Sequence, residues 1–167
     1  PIHTLSNHRG PVTALVTGHS HTDVNIAVST SRDNTAIVWD YHNGTALRIY
    51  LLGDTPLALA LDPVDRAFYT TYGDGSVQVI DFYRTGSESA VNALHDASSM
   101  LAPIQPPADT RLTATSQDLA SGLSLAVSWD GLTLLSGHES GQVAAWRIAG
   151  AQYSRTVTTL PGPVPNL

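Results

Sequence analysis

The amino-acid sequence predicts an all-β fold made of repeated four-stranded blades, a segment of a β-propeller, and three observations predict it. The first is an internal repeat. Ser31-Arg32-Asp33-Asn34-Thr35-Ala36-Ile37-Val38-Trp39-Asp40 aligns, 41 residues on, with Tyr72-Gly73-Asp74-Gly75-Ser76-Val77-Gln78-Val79-Ile80-Asp81. A third copy reads Gly137-His138-Glu139-Ser140-Gly141-Gln142-Val143-Ala144-Ala145-Trp146-Arg147. The second observation is the spacing. The acidic turn positions Asp33, Asp74 and Glu139 lie 41 and then 65 residues apart. A period of ~40–45 residues with a Trp-Asp ending is that of propeller blades, so the longer interval holds about 24 inserted residues. The third is composition: 13 Gly and 10 Pro among 167 residues, with many Ser, Thr and Val, suit short strands joined by tight turns.

The elements follow in order. Residues 1–5 read as the last strand of a preceding blade. The first blade covers 6–52, with strands over 12–16, 25–30, 36–39 and 46–51 and a turn at Asp33-Asn34. A second, degenerate blade covers 53–82, with strands over 56–61, 67–71 and 77–80 and a turn at Asp74-Gly75. Both turn dipeptides tolerate positive φ, so each reverses the chain within two residues. An insertion spans 83–117, a further degenerate blade 118–160 with strands over 123–128 and 153–160, and the start of another blade 161–167. The mixed apolar patterning of these strands fits sheets covered on both faces. That makes about three blades of a ring of about seven, since closed propellers have ~4–8.

Composition bounds the function. With no Cys, disulfide frameworks and thiolate zinc sites are excluded. The formal charge is −6, and all eight basic residues are Arg, scattered from Arg9 to Arg155. That distribution argues against a broad nucleic-acid-binding face, which needs clustered cations. No run approaches the ~18 apolar residues of a membrane-spanning helix. The chain opens Pro1-Ile2-His3 without an initiator Met, as a piece of a longer protein would.

In the first repeat His8, Ser29 or Ser31, Asp33, Trp39 and Asp40 stand in the order seen in WD repeats, and the resemblance extends to Asp74, Asp81 and Trp146. It implies a buried structural network linking His, Asp, Ser or Thr and the indole N–H, because polar groups inside a blade must find partners. A hydrolytic reading of His8, Asp33 and a serine is weaker: the pattern recurs with repeat spacing and lacks a nucleophile elbow. The later copies are degenerate. Ile80 replaces Trp in the second and Arg147 replaces Asp in the third. Neither has a His before its first strand, where Gly53-Asp54-Thr55-Pro56 and Ser121-Gly122 stand. These two blades are expected to depend on packing more than on the polar network.

Leu57-Ala58-Leu59-Ala60-Leu61-Asp62-Pro63-Val64-Asp65-Arg66-Ala67-Phe68-Tyr69, running into Gly73-Asp74-Gly75-Ser76-Val77, resembles a blade of one ribosome-assembly family, the WD-repeat subunit of the rixosome. So do the blade from His8 to Asp40 and the ending Thr156-Val157-Thr158-Thr159-Leu160-Pro161-Gly162-Pro163-Val164-Pro165-Asn166. The resemblance implies a non-catalytic scaffold in 60S subunit biogenesis, located in the nucleus, in nucleolus and nucleoplasm. Its implied partners are the other rixosome subunits, the midasin remodelling ATPase and the pre-60S particle, with no membrane and no cofactor. A WD-repeat adaptor of another nuclear complex, such as a ubiquitin-ligase receptor or chromatin subunit, is the competing reading. A propeller enzyme ranks last, since convergent catalytic groups at matched blade positions are missing.

The insertion, rich in Ser, Ala and Pro, reads as a solvated spacer on the rim, with Met100, Leu101 and Ile104 as an alternative anchor for a partner. His19, His21 and Asp23 read as a surface loop, because a metal site needs three or four ligands. His3, His42, His95 and His138 read as unconnected singles.

Overall fold

The computed structural model describes residues 4–19, 25–83, 102–114, 119–150 and 152–167. It holds three four-stranded antiparallel sheets, one per blade. The first comprises β1 (Val12–Thr17), β2 (Ile26–Ser31), β3 (Thr35–Asp40) and β4 (Thr45–Leu51), side by side in chain order. The second comprises β5 (Leu59–Leu61), β6 (Ala67–Thr71), β7 (Val77–Asp81) and β8 (Arg111–Leu112). The third comprises β9 (Gly122–Val127), β10 (Thr133–His138), β11 (Gln142–Arg147) and β12 (Gln152–Thr159). The first strands β1, β5 and β9 neighbour one another along one side of the stack. Among the described residues no helix is long and apolar enough to cross a membrane.

Pairing register superimposes the blades residue by residue. Ala27 faces Trp39, Phe68 faces Ile80 and Leu134 faces Trp146 across the central hairpins. The three hairpin turns are therefore 32–34, 73–75 and 139–141. Each turns the chain through a left-handed third residue: Asn34 (φ 62°), Gly75 (φ 76°) and Gly141 (φ 83°). A left-handed residue closing a three-residue loop matches the twist of the flanking strands, and Asn and Gly adopt it at least cost. The register also corrects the repeat alignment by one residue: Ser140, not Glu139, is the counterpart of Asp33 and Asp74.

Two apolar clusters join the sheets. Ile26, Val28, Val38, Leu47 and Tyr50 of the first blade pack with Phe68, Ile80 and Phe82 of the second. Ala60, Tyr69 and Val77 of the second pack with Leu134, Ala144 and Trp146 of the third. Alternation along β2 sends Ala27 to the opposite face, where it meets Ile37 and Trp39. This is the counterpart of the face through which the third blade packs on the second. Both-face burial explains why β2 is buried at every position, with none of the polar alternation of a half-exposed strand.

The second blade ends differently from its expected bounds. Its fourth strand is β8, at residues 111–112, which the sequence places inside the 83–117 insertion. The long interruption separates β7 from β8 and so lies within the second blade. The strand is two residues long, too short to show a periodic pattern. Ahead of it, Ile104 forms a parallel bridge to Tyr50 on the outer strand of the first blade. Its N–H donates to the Ile49 carbonyl and its carbonyl accepts from the Leu51 N–H, both at 2.8 Å. Ile104 also packs against the first apolar cluster, so this part of the insertion is a strap between blades and not a solvated spacer. Residues 4 and 5 carry no strand, and the rest of the strand expected over 1–5 lies outside the described residues. Met100 and Leu101 lie outside the described residues.

Candidate functional site

The polar groups that the sequence assigns to the blades sit mainly at the hairpin end of each sheet. In the first blade they form one chain. Trp39 Nε1 donates to Ser29 Oγ at 2.7 Å, and Ser29 Oγ lies 2.7 Å from His8 Nε2. His8 Nδ1 is 2.8 Å from Thr35 Oγ1, which donates to Asp33 Oδ1 at 2.5 Å. The carboxylate only accepts, so Thr35 spends its proton there and must accept from His8 Nδ1–H. His8 Nε2 is then bare and accepts from Ser29. Every link has one consistent direction, from Trp39 at one end and Asp33 at the other.

Asp33 is the terminus that closes the blade entrance. Its Oδ2 accepts from the Arg9 N–H at 2.6 Å and the Gly10 N–H at 3.3 Å, and its Oδ1 from the Thr35 N–H at 3.0 Å. Ser31 Oγ accepts from the Asp33 N–H at 3.2 Å. Burial pushes the Asp33 carboxyl up, but the Thr35, Arg9 and Ser31 hydrogen bonds outweigh it and hold it at about 2. Burial lowers the His8 imidazole against the opposing pull of Asp33. Together these place a neutral imidazole beside an ionised carboxylate.

This order resembles a Ser-His-Asp relay, yet it cannot work as one. Ser29 is 4% exposed and its oxygen already accepts the indole proton. His8 Nδ1 stands 3.8 Å from Asp33 Oδ1, with Thr35 as the hydrogen-bonded link. A nucleophile needs an approach path for a reacting atom, and this one is closed inside the sheet.

The third blade rebuilds the same pair from a different source. Trp146 Nε1 donates to Ser136 Oγ at 2.7 Å, and Ser136 Oγ lies 2.7 Å from His138 Nε2. His138 Nδ1 meets the Ala120 carbonyl at 3.1 Å, which fixes Nδ1 as the protonated nitrogen here too. The imidazole thus comes from β10 itself and not from the loop before the first strand, which supplies only a carbonyl. His138 is fully buried, and burial lowers its pKa against the Ala120 and Leu119 carbonyls. The sequence reading of His138 as an unconnected single is corrected, and so is the expectation that this blade depends on packing more than on the polar network. The signal that finds both is the ten-residue Ser-to-Trp spacing shared by Ser29/Trp39 and Ser136/Trp146.

In the second blade Ile80 stands where the indole would be, and packing takes over. Phe68 meets the Tyr50 ring edge-on at 5.5 Å and the Phe82 ring at a tilt at 5.8 Å. The turn keeps its carboxylate: Asp74 Oδ1 accepts from the Ser76 N–H at 2.9 Å and from Ser76 Oγ at 2.5 Å. Arg111 from β8 occupies the role of the missing His. Its Nε donates to Ser76 Oγ at 2.8 Å, its Nη2 to Asp74 Oδ2 at 2.9 Å, and its guanidinium lies 4.2 Å over the Tyr72 ring. Burial raises the Asp74 carboxyl, but the Ser76 and Arg111 contacts hold it below its ordinary value.

Two residues of the expected set stand apart. Asp40 and Asp81 lie at the opposite ends of β3 and β7 and cap turns. Asp40 accepts from the His42 and Asn43 N–H groups at 2.9 and 3.0 Å, and Asp81 from the Tyr83 N–H at 2.7 Å. On that same side His19 Nδ1 pairs with Asp65 Oδ1 of the second blade at 2.8 Å. His21 and Asp23 lie outside the described residues. No group of three or more His, Cys, Asp or Glu able to hold a metal occurs among the described residues.

These blades agree with the comparisons. A family model described as WD domain, G-beta repeat matches residues 1–40. With three four-stranded antiparallel sheets in series, the chain is a WD-repeat β-propeller segment. Its homologues include the pre-rRNA-processing protein IPI3 of Yarrowia lipolytica, 24% identical over 94% of this chain and 36% of its own. The human WD repeat-containing protein 18 is 27% identical over 99% of this chain and 35% of its own. The protein ROOT INITIATION DEFECTIVE 3 of Arabidopsis thaliana is 26% identical over 99% of this chain and 34% of its own. The chain therefore spans about a third of the length of these relatives.

Proposed function

We propose that this chain is the repeat-bearing part of a non-catalytic scaffold subunit in 60S ribosomal subunit biogenesis. In this reading the whole protein supports pre-rRNA spacer processing, sits with the other rixosome subunits in the nucleolus and nucleoplasm, and recruits the midasin ATPase to pre-60S particles. The observation that carries it is similarity along nearly the whole chain, 94% of it, to a protein named for pre-rRNA processing. The geometry supports the non-catalytic half: the recurring Ser, His and Asp groups spend their hydrogen bonds inside the blades, and Ser29 and Ser136 are buried.

Depletion of the full-length protein tests the reading. Spacer-containing rRNA precursors are expected to accumulate, and midasin to be lost from the pre-60S fraction. A normal precursor profile after depletion overturns the processing role, and normal midasin recovery overturns the recruitment role alone.

A further inference from the structure

The chain has three Trp, and two are buried in the networks above. The third, Trp129, is 91% exposed on the turn between β9 and β10. That turn is stiff. Asp130 Oδ1 accepts from Ser128 Oγ at 2.5 Å and from the Leu132 N–H at 3.0 Å, and Ser128 Oγ accepts from the Thr133 N–H at 2.9 Å. The turn also rests on the second blade: a Cβ at Gly131 would stand 3.2 Å from Asp62 Oδ1. The braced turn fixes where the indole is presented, and large exposed aromatic side chains are the ones that anchor interfaces.

Two clefts flank this ridge. The inner one, about 490 Å³, is largely apolar, lined by Val16, Leu59, Leu61, Leu125 and Val127 with Trp129 itself, and carries one polar side chain, His19, paired with Asp65. The outer one, about 210 Å³, lies between the second and third blades and includes Asp62, Arg66, Tyr69, Asp81, Tyr83 and Gly131. Here two carboxylates face one guanidinium. Asp62 is buried and holds Arg66 through both its oxygens, at 3.0 and 3.2 Å, whereas Asp81 is exposed. Asp130 adds a third carboxylate on the turn itself, and Arg147, at the end of β11, is outside the lining of either cleft. Leu132 on the same turn and Tyr83 in the outer cleft are also exposed.

We infer that this ridge and its two clefts dock an extended basic segment of a partner protein. An apolar side chain of the segment enters the inner cleft, and an arginine or lysine crosses the indole of Trp129 toward Asp81. Charge complementarity selects the occupant, because a cation gains from both the aromatic face and the excess carboxylate. A nucleic acid would meet the same carboxylates as repulsion. The inference is independent of the pre-rRNA reading.

The test titrates the natural full-length protein with a five-residue peptide alternating arginine and leucine, and with its glutamate-for-arginine counterpart. Isothermal titration calorimetry reports the binding. The arginine peptide is expected to bind and the glutamate peptide not to. W129A should weaken binding at least tenfold, with melting temperature unchanged because the indole is exposed, and D81N, which keeps an oxygen to accept the Tyr83 N–H, about threefold. Equal binding of the two peptides, or wild-type affinity in W129A, overturns the inference. Displacement of the arginine peptide by a uridine oligonucleotide overturns it in favour of a nucleic-acid site.

Discussion

Ser29 and Ser136 each take an indole proton and pass their own to an imidazole, although the two imidazoles arrive from different places in the chain. Trp39→Phe and Trp146→Phe keep most of the apolar volume and remove the donor, leaving a buried hydroxyl short of a partner. Each is expected to destabilise the full-length protein by about 1–3 kcal/mol, read by urea denaturation. The imidazoles also set a pH dependence. Burial lowers the pKa of both His8 and His138 in the folded state, so the unfolded chain takes up protons first as pH falls below 6.5. Stability should therefore drop from pH 6.5 downward, and His138→Asn should flatten that slope. Asp33 acts in a lower window: its stabilisation is present above 3.8 and is lost as pH falls toward about 2. Melting temperature against pH separates the two.

At the scale of elements, the hairpin turns and the strap matter most. Gly141 has φ 83°, and an added Cβ would collide with the Leu160 carbonyl, whereas a Cβ on Gly73 meets nothing within 4 Å. Gly141→Ala is expected to cost over 1 kcal/mol and Gly73→Ala less than about 0.5 kcal/mol, compared by thermal unfolding. The strap is the second case. Ile104 packs against Tyr50 and hydrogen-bonds along β4, so Ile104→Asp should loosen the link between the first two blades. The expected readout is faster amide exchange at Leu51 and at residue 104, with exchange in β10 and β11 unchanged.

For the molecule as a whole, each blade presents its Trp-side face to the blade before it. The first blade's Ala27, Ile37 and Trp39 lie on the corresponding face and are themselves buried, so the exposed apolar surface is on the outer strands. Val12 and Leu15 on β1 are more than half exposed, and Val157 on β12 is half exposed. Stacked repeats draw their stability from neighbour interfaces. A polypeptide of these 167 residues alone is thus expected to bind a hydrophobic dye and unfold over a broad range, while the full-length protein does neither. Cooperative unfolding of the short polypeptide at the full-length melting temperature would refute this.

The residues by themselves determine the repeat, the longer strands and the first two hairpin turns, because a strand's burial pattern and a turn's φ preference are local properties of a few neighbouring side chains. Asp33-Asn34, Asp74-Gly75 and the Trp39/Trp146 pair were legible for that reason. Tertiary structure alone decided which polar groups meet. His138 replaces a missing His, Arg111 crosses 35 residues to reach Ser76, and Ile104 joins the edge of another blade. A buried polar atom accepts any partner of the right chemistry that the fold brings within reach, whatever its place in the chain. Sequence order can state that such a partner is needed, and only packing in three dimensions chooses it.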